Sequence, residues 1–188
     1  MNDNFKKQIQ EISDISEISQ IFQQSTQLKE SIEHFSNHSF SPELSKEPNS
    51  IPICFNKKGD TIYLVGDYKT KEADNSSVVE VILDAIENSL LESAHVLQGR
   101  GLFVGLIEAC SVNSLGFDIT SDSEISEKEF LYNEDNGSIL ISVNSKQEGK
   151  FVDYIYNSHV EITLLGHVTK GELRVDEESL GYINEYIE

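Results

Sequence analysis

Apolar side chains recur at intervals of mostly three or four along the first 36 residues, with polar residues between them. This spacing places them on one side of an α-helix, so residues 1–36 are predicted to form a helical extension with a single apolar stripe. The many Ser and Ile residues weaken the helix, which could break near Ser25 and Thr26. We call this surface the N-terminal stripe; it consists of Phe5, Ile9, Ile12, Ile15, Ile18, Ile21, Phe22, Leu28, Ile32 and Phe35.

A polar segment separates this extension from the rest of the chain. Residues 37–50 contain Ser, Asn and two prolines and show no hydrophobic period, which is typical of a linker. After the linker, short apolar runs alternate with longer amphipathic ones. This change of pattern predicts a separate domain over residues 51–188.

Residues 51–188 contain both runs that favour strands and runs that favour helices. The predicted strands are Ile51–Phe55, Thr61–Gly66, Gly116–Thr120, Ser138–Val143, Ile162–Val168 and Glu172–Val175. The predicted helices are Val78–Leu91, Leu102–Ala109 and Lys146–Asn157. Between them we predict a loop from Ser93 to Gly101 and a solvated acidic turn at Asp176–Glu178. The predicted fold class is therefore α+β, with a mixed sheet of about five or six strands and helices packed on it.

Acidic residues greatly outnumber basic ones: 33 Asp and Glu residues and 14 Lys and Arg residues give a net charge of −19. Such a chain repels nucleic-acid phosphates and anionic membrane surfaces, so neither is an expected partner. No apolar run approaches the roughly 20 residues of a membrane helix, and no signal peptide is visible, so the expected location is the cytoplasm. The thiols of Cys54 and Cys110 lie in apolar runs and are expected to be buried and reduced.

One segment, from His95 to the predicted helix start at Leu102, has the residues of a possible anion site. Gly99 and Gly101 allow a ligand to approach the backbone, and free N–H groups at the helix start could hold an anion with help from Arg100. A glycine-bearing loop before a buried helix is also often only a tight turn, and the spacing leaves both interpretations open. No metal site is predicted, because no cluster of ligand residues has a suitable spacing.

Three strand segments carry a resemblance to a known family. Gly59–Gly66 reads Gly-Asp-Thr-Ile-Tyr-Leu-Val-Gly, Leu115–Ile119 reads Leu-Gly-Phe-Asp-Ile, and Thr163–Val175 reads Thr-Leu-Leu-Gly-His-Val-Thr-Lys-Gly-Glu-Leu-Arg-Val. They resemble the opening strand, a middle strand and the closing hairpin of the C-terminal domain of phosphoribosylformylglycinamidine synthase, an AIR synthase-related family. The resemblance covers about Ser50–Glu188 and implies the fold of that domain.

The first reactive motif of this family is only partly present. His95, Gly101, Leu102 and Glu108 match a loop that reads His-Asp-x-Ser-Asp/Glu-Gly-Gly-Leu and the apolar helix after it. Val96 stands where the family has the Asp, which belongs to a magnesium–nucleotide site. Valine has no oxygen to offer a hard cation, so the family's magnesium site is not expected here.

The second reactive motif, which in the family reads Phe-Leu-Phe-Gly-Glu-Ser-Gln-Ser-Arg, has also lost a polar group. Phe130, Leu131 and Glu134 match it, whereas Ser138 replaces the Arg. The substitution removes a planar group that binds anions through two hydrogen bonds. The scaffold of the family is thus retained while its polar motifs are eroded.

The resemblance implies a role related to purine biosynthesis, in which the family uses ATP and magnesium to form an amidine. Because both polar motifs are eroded, this chain is expected to be non-catalytic alone, to use no cofactor by itself and to act as an interaction or scaffold domain. The alternative is the C-terminal piece of a split synthase that works with a separate ATP-binding chain.

The N-terminal stripe needs a cover, since burying each large apolar side chain stabilises a structure by about 1.5–3 kcal/mol before entropy costs. We predict that residues 5–35 contact a protein partner or a second copy of the chain. The alternative is that they fold back on their own domain, against the sheet face that neighbouring domains cover in the family.

Overall fold

The computed structural model describes residues 51–69, 76–98, 101–133 and 136–186. The strands are β1 (Thr61–Val65), β2 (Ser93–Gln98), β3 (Gly116–Ile119), β4 (Asn136–Val143), β5 (Ile162–Thr169), β6 (Glu172–Val175) and β7 (Glu178–Tyr182). The helices are α1 (Ser76–Glu87), α2 (Gly101–Ser111), α3 (Glu127–Tyr132) and α4 (Glu148–Ser158), followed by a 3-10 turn at Ile183–Glu185. The helical extension and the linker predicted for residues 1–50 lie outside the described residues.

These strands form one mixed sheet in the order β2-β4-β1-β5-β3-β6-β7. β1 is antiparallel to both β4 and β5, β2 is antiparallel to β4, and β3 is antiparallel to β5 but parallel to β6. Strands β1, β2, β3 and β6 therefore run in one direction, and β4, β5 and β7 in the other. The predicted α+β class with a mixed sheet is confirmed, although seven strands form where about five or six were predicted.

The prediction of a loop from Ser93 to Gly101 was wrong for the first six residues, which form β2. The sequence of this segment is too polar to predict a strand. It becomes a strand because it pairs with the strongly apolar β4. The hydroxyls of Ser93 and Ser142 lie 2.6 Å apart on the two strands and satisfy each other where both are buried.

The strand predicted at Ile51–Phe55 was also wrong. The carbonyl of Pro52 accepts a hydrogen bond from the N–H of Ala94 (3.0 Å), and the N–H of Phe55 donates to the carbonyl of Ala109 (2.8 Å). These bonds tie the segment to β2 and to α2 separately, so no ladder forms, and Pro52 has no N–H with which to extend one.

The acidic turn predicted at Asp176–Glu178 is correct for its first two residues only. Asp176 and Glu177 have φ angles of 49° and 68°, as in a tight turn between antiparallel strands. Glu178 instead begins β7, which pairs with β6. Neither β7 nor the short helix α3 was predicted, because both have few apolar residues at regular spacing.

Helices cover both faces of the sheet, and alternation along the strands divides the core into two clusters. In β1, Ile62 and Leu64 belong to the cluster beneath α2 and α3, whereas Tyr63 and Val65 belong to the cluster beneath α1 and α4. The centroid of the Phe151 ring on α4 lies 5.4 Å from the centroid of the Tyr63 ring. We call the two sides of the sheet the α2 face and the α4 face.

Asp60, which directly precedes β1, has a buried carboxyl group. Asp60 is 3% exposed, and its Oδ2 has no hydrogen-bond partner among the described residues. Burial, with a contribution from the nearby carboxylate of Glu92, raises the pKa of Asp60 to about 6. Folding therefore stabilises the protonated carboxyl of Asp60 relative to its ionised form, compared with the unfolded chain.

We predict that the described domain folds without the N-terminal extension. Among the described residues, both apolar clusters are built from residues between 51 and 186, so a chain of residues 50–188 retains them. Circular dichroism of this truncated chain is expected to show helix and strand content and a cooperative thermal transition. A truncated chain without such a transition would place residues 1–49 in the core.

We predict that Asp60→Asn stabilises the protein above pH 6. The raised pKa means that Asp60 does not weaken the fold below about pH 4, weakens it increasingly as pH rises to about 6, and weakens it fully above that value. Asn resembles the neutral carboxyl, so the variant should melt at least about 2 °C higher at pH 7.5 and equally at pH 4. The matched control is Asp153→Asn, an exposed position on α4. Equal melting of Asp60→Asn and the parent at pH 7.5 would contradict the prediction.

Candidate functional site

The candidate residues gather at one edge of the sheet. Strands β1, β2, β3 and β6 run in one direction and so end at the same edge, which we call the carboxyl edge. The segment that joins β2 to α2, predicted to bind an anion, leaves the sheet there. Ligands of open α/β sheets bind outside the carboxyl ends of the strands, so this edge is the first place to look for chemistry.

His95, one of the residues of the predicted anion site, is in contact with Glu108. Nε2 of His95 on β2 lies 2.8 Å from Oε2 of Glu108 on α2, and their side chains are 16% and 17% exposed. A carboxylate only accepts hydrogen bonds, so Nε2 carries the proton that bridges them. Both residues were singled out by the family resemblance, but only the fold brings them into contact.

Two glycines hold α2 tightly against its neighbours. A Cβ on Gly105 would lie 2.2 Å from Cδ2 of Leu97, so the bare backbone lets the helix approach β2 closely enough for the His95–Glu108 contact. Gly101 has φ of +80°, and a Cβ there would lie 2.9 Å from the carbonyl oxygen of Leu131 at the end of α3. Gly101 therefore has a packing role whether or not an anion binds.

Two residues of the predicted anion site, and one residue matched only by the family motif, lie outside the described part of the chain. Gly99 and Arg100 fall between β2 and α2, and Glu134 falls between α3 and β4. The anion site at His95, Gly99, Arg100 and Gly101 therefore stays a prediction.

Val96 and Ser138, which depart from the family, differ in burial: Val96 is partly buried on the edge strand β2, and Ser138 is buried on β4. Val96 follows His95 on β2, so its side chain projects to the opposite, α4 face, where it packs against the apolar cluster. Ser138, on β4, is fully buried. Of the matched residues in the second motif, Phe130 and Leu131 are buried on α3 and contribute to the core beneath it.

A polar network that the sequence did not predict joins two loops of the carboxyl edge. Nζ of Lys69, after β1, lies 2.9 Å from Oδ2 of Asp122 and 2.7 Å from Oε2 of Glu124, after β3. The hydroxyl of Tyr68 donates to Oδ2 of Asp122 at 2.5 Å. The hydrogen bonds from Tyr68 and Lys69 lower the pKa of Asp122 to about 2, so it stays ionised.

A second contact joins the loop after β3 to the turn after β6. Asp176 accepts hydrogen bonds from the backbone N–H of Ser121 (2.8 Å) and from its hydroxyl (2.5 Å). The long-range partners in both networks are 53 to 55 residues apart in the sequence. Short polar loops carry no sequence signal for such pairing.

The arrangement favours structure over chemistry on anions. Lys69 is already bound to two carboxylates, and the described loops of this edge present further negative charge at Asp176 and Glu177. Such a surface repels phosphates. Among the described residues, no group of three His, Cys, Asp or Glu side chains could hold a metal ion. In the same part of the chain, no helix is both long and apolar enough to cross a membrane.

No protein-family model matches the chain, but curated relatives do. It is 28% identical over 153 residues to the phosphoribosylformylglycinamidine synthase subunit PurL of Carboxydothermus hydrogenoformans, covering 69% of this chain and 21% of that protein. It is 30% identical over 151 residues to PurL of Petrotoga mobilis, covering 67% and 20%. The chain therefore spans about a fifth of the length of these relatives.

Solved structures show the same fold. Thermotoga maritima PurL complexed with ATP superposes with a TM-score of 0.64 at 11% identity, covering 75% of this chain and 28% of that one. The PurLQS structure from the same organism gives 0.58 at 15% identity, covering 65% and 24%. Thiamine-monophosphate kinase from Stenotrophomonas maltophilia gives 0.54 at 11% identity, covering 70% and 54%.

The sequence relatives and the shared fold agree with each other and with the motifs described above. They confirm the resemblance predicted from the sequence: residues 51–186 form a domain related to the phosphoribosylformylglycinamidine synthase subunit PurL.

Proposed function

We propose that this chain is a non-catalytic relative of PurL that acts by binding another protein chain. The observation that carries the proposal is the fate of the two altered motif positions. Val96 packs against an apolar cluster and Ser138 is fully buried, so both have become parts of the scaffold. The role in purine biosynthesis implied by the family would then be one of assembly or support.

The chemistry of these two positions explains why catalysis is not expected. Magnesium is held by oxygen ligands, and Val96 has none to offer where the family has an Asp. Restoring the acid would place a charge against the apolar side chains of the α4 face, which costs several kcal/mol unless the charge is paired. Ser138 likewise lacks the fixed charge with which an Arg binds a phosphate.

The electrostatics of the carboxyl edge support the same conclusion. Lys69, which could attract a nucleotide phosphate, is bound to Asp122 and Glu124. A net charge of −19 over the chain adds a general repulsion of anionic substrates.

The fold alone does not choose a function, because a domain of this shape is found in proteins as different as PurL and thiamine-monophosphate kinase. The proposal therefore rests on the sites. His95 and Glu108 keep their contact and link β2 to α2, which is a positioning role that needs no substrate.

Association is the activity that remains, and residues 5–35 are its proposed contact. The N-terminal stripe carries ten large apolar side chains, far more than a solvated helix would expose. A PurL chain is part of the PurLQS structure, which supports a protein partner for a relative of PurL. We propose that the stripe binds a protein partner or a second copy of the chain, in the cytoplasm.

The second candidate is a piece of a split synthase that works beside a separate ATP-binding chain. Its support is that the curated relatives are named as subunits and that this chain spans about a fifth of their length. In this case amidine formation would appear only when both chains are present, which mixing experiments can measure.

The isolated chain is predicted neither to hydrolyse ATP nor to form the amidine. Purified protein should show no phosphate release and no amidine above a blank without protein, given ATP, magnesium, ammonia and formylglycinamide ribonucleotide. A PurL enzyme assayed in parallel serves as the positive control. Turnover that scales with the concentration of this chain would refute the non-catalytic proposal.

Replacing Ile12 and Ile18 with Asp is predicted to abolish association while the domain stays folded. Two charges in the N-terminal stripe would have to be desolvated in any apolar contact, which weakens it by several kcal/mol. Sedimentation velocity at tens of micromolar should show a complex for the parent and a monomer for the variant. The control is Ser13→Asp with Ser19→Asp, which adds the same charge between stripe positions. A parent that sediments as a monomer and captures no partner would remove the proposed association.

A further inference from the structure

The described residues cover only half of the α4 face of the sheet. Strands β5, β3, β6 and β7 fill their α2 face with core residues, but on the opposite face Leu164 is 60% exposed and Tyr182 is 55% exposed. The register aligns His167, Asp118 and Arg174 in a row across β5, β3 and β6 on that same face. Nη1 of Arg174 lies 3.9 Å from Oδ2 of Asp118 in the middle of this row.

Helix α4 borders this uncovered area with apolar side chains. The hydroxyl of Tyr154 donates to the carbonyl of Val81 at 3.0 Å, so that side of α4 faces α1. Val152 and Tyr156 lie roughly 160° around the helix from Tyr154 and therefore point away from α1. They are 44% and 84% exposed.

Four of the five large apolar side chains that are exposed among the described residues thus belong to one side of the molecule. We call this surface the open face; it consists of Val152, Tyr156, Leu164 and Tyr182 around the polar row His167, Asp118 and Arg174. Exposed apolar residues gathered on one side of a domain are typical of a surface that another element covers.

We infer that the open face receives the N-terminal stripe of a second copy of this chain. The inference rests on the proposed association through residues 5–35 and names the surface that the stripe binds. The first support is where the chain enters the domain. Ile51 packs against the cluster of the α4 face and Pro52 is bonded to β2, so the described chain begins on the side of the sheet that holds the open face.

The second support is the reach of the linker. Residues 37–50 can span up to about 45 Å when extended. The whole sheet is about 30 Å wide, at roughly 4.8 Å between strands. The stripe can therefore reach an open face in its own copy or in a neighbouring one.

The third support is the length of the stripe, which favours the neighbouring copy. The helix predicted for residues 5–35 would be about 46 Å long, and its part before Ser25 alone would be about 30 Å long. The four uncovered strands span only about 20 Å, so one open face cannot cover the stripe. Two copies that exchange stripes around a two-fold axis supply two open faces side by side and two equal contacts in one closed dimer.

The test compares full-length variants of the open face with a matched control. Leu164→Arg and Tyr156→Arg change the open face, whereas Val112→Arg changes the one exposed large apolar residue that lies after α2, on the other side of the described domain. Sedimentation equilibrium should give a dimer for the parent and for Val112→Arg. Each open-face variant should raise the dissociation constant at least tenfold, with an unchanged circular dichroism spectrum.

Crosslinking identifies the occupant directly. With p-benzoylphenylalanine in place of Leu164, irradiation should join position 164 to a peptide within residues 5–35. Mixing this chain with an isotope-labelled parent should place the labelled peptide in the adduct, because the stripe comes from the other copy.

Each other result overturns the inference in a distinguishable way. A dimer that Ile12→Asp with Ile18→Asp dissociates, but that Leu164→Arg and Tyr156→Arg leave intact, would keep the proposed association and exclude the open face. Adducts that never contain the labelled chain would show that each stripe binds its own copy. A monomeric parent without such adducts would refute both the inference and the self-association on which it rests.

Discussion

The inner strand β1 is buried on both of its faces, and the two helical layers depend on this constraint. Ile62 and Leu64 pack beneath α2 and α3, whereas Tyr63 and Val65 pack beneath α1 and α4, and all four are at most 6% exposed. The strand also pairs with β4 on one side and β5 on the other. A strand of this kind cannot shift its register by one residue without exchanging the two sets of side chains, so it fixes the register of β4 and β5 and which side chains face each helical layer.

The proposed relation of this domain to PurL is a retained scaffold with altered chemistry. The close contacts at Gly101 and Gly105 keep α2 against α3 and β2, and they hold His95 beside Glu108. In the same strand, one residue further, Val96 joins the apolar core on the opposite face. Alternation along a strand thus allows one residue to keep a polar contact while its neighbour becomes a packing residue. Selection for packing alone would preserve the first group of features and erase the second.

The net charge and the apolar surfaces have opposite effects on association between copies of the chain. The net charge of −19 makes copies of the chain repel each other at close range, within the screening length of about 8 Å in physiological salt, and so opposes unspecific clustering. Contact between copies then requires a large apolar surface in a defined geometry, and the N-terminal stripe and the open face are two such surfaces. The ionised Asp122, held by Tyr68 and Lys69, and the bond from Ser121 to Asp176 meanwhile stabilise the described loops of the carboxyl edge.

The sequence by itself determined the α+β class, the strands at Thr61–Val65, Gly116–Ile119 and Glu172–Val175, and the resemblance to the synthase family, because strongly apolar runs carry their own signal. It did not determine β2, which is polar and becomes a strand only by pairing with β4, nor β7, which forms on the edge that β6 offers. The motifs named His95 and Glu108 separately, but their 2.8 Å contact exists because the missing side chain of Gly105 lets α2 approach β2. The network around Asp122 and the open face were likewise decided by tertiary structure, since both depend on which strands lie side by side, and local sequence does not encode contacts between residues more than 50 positions apart.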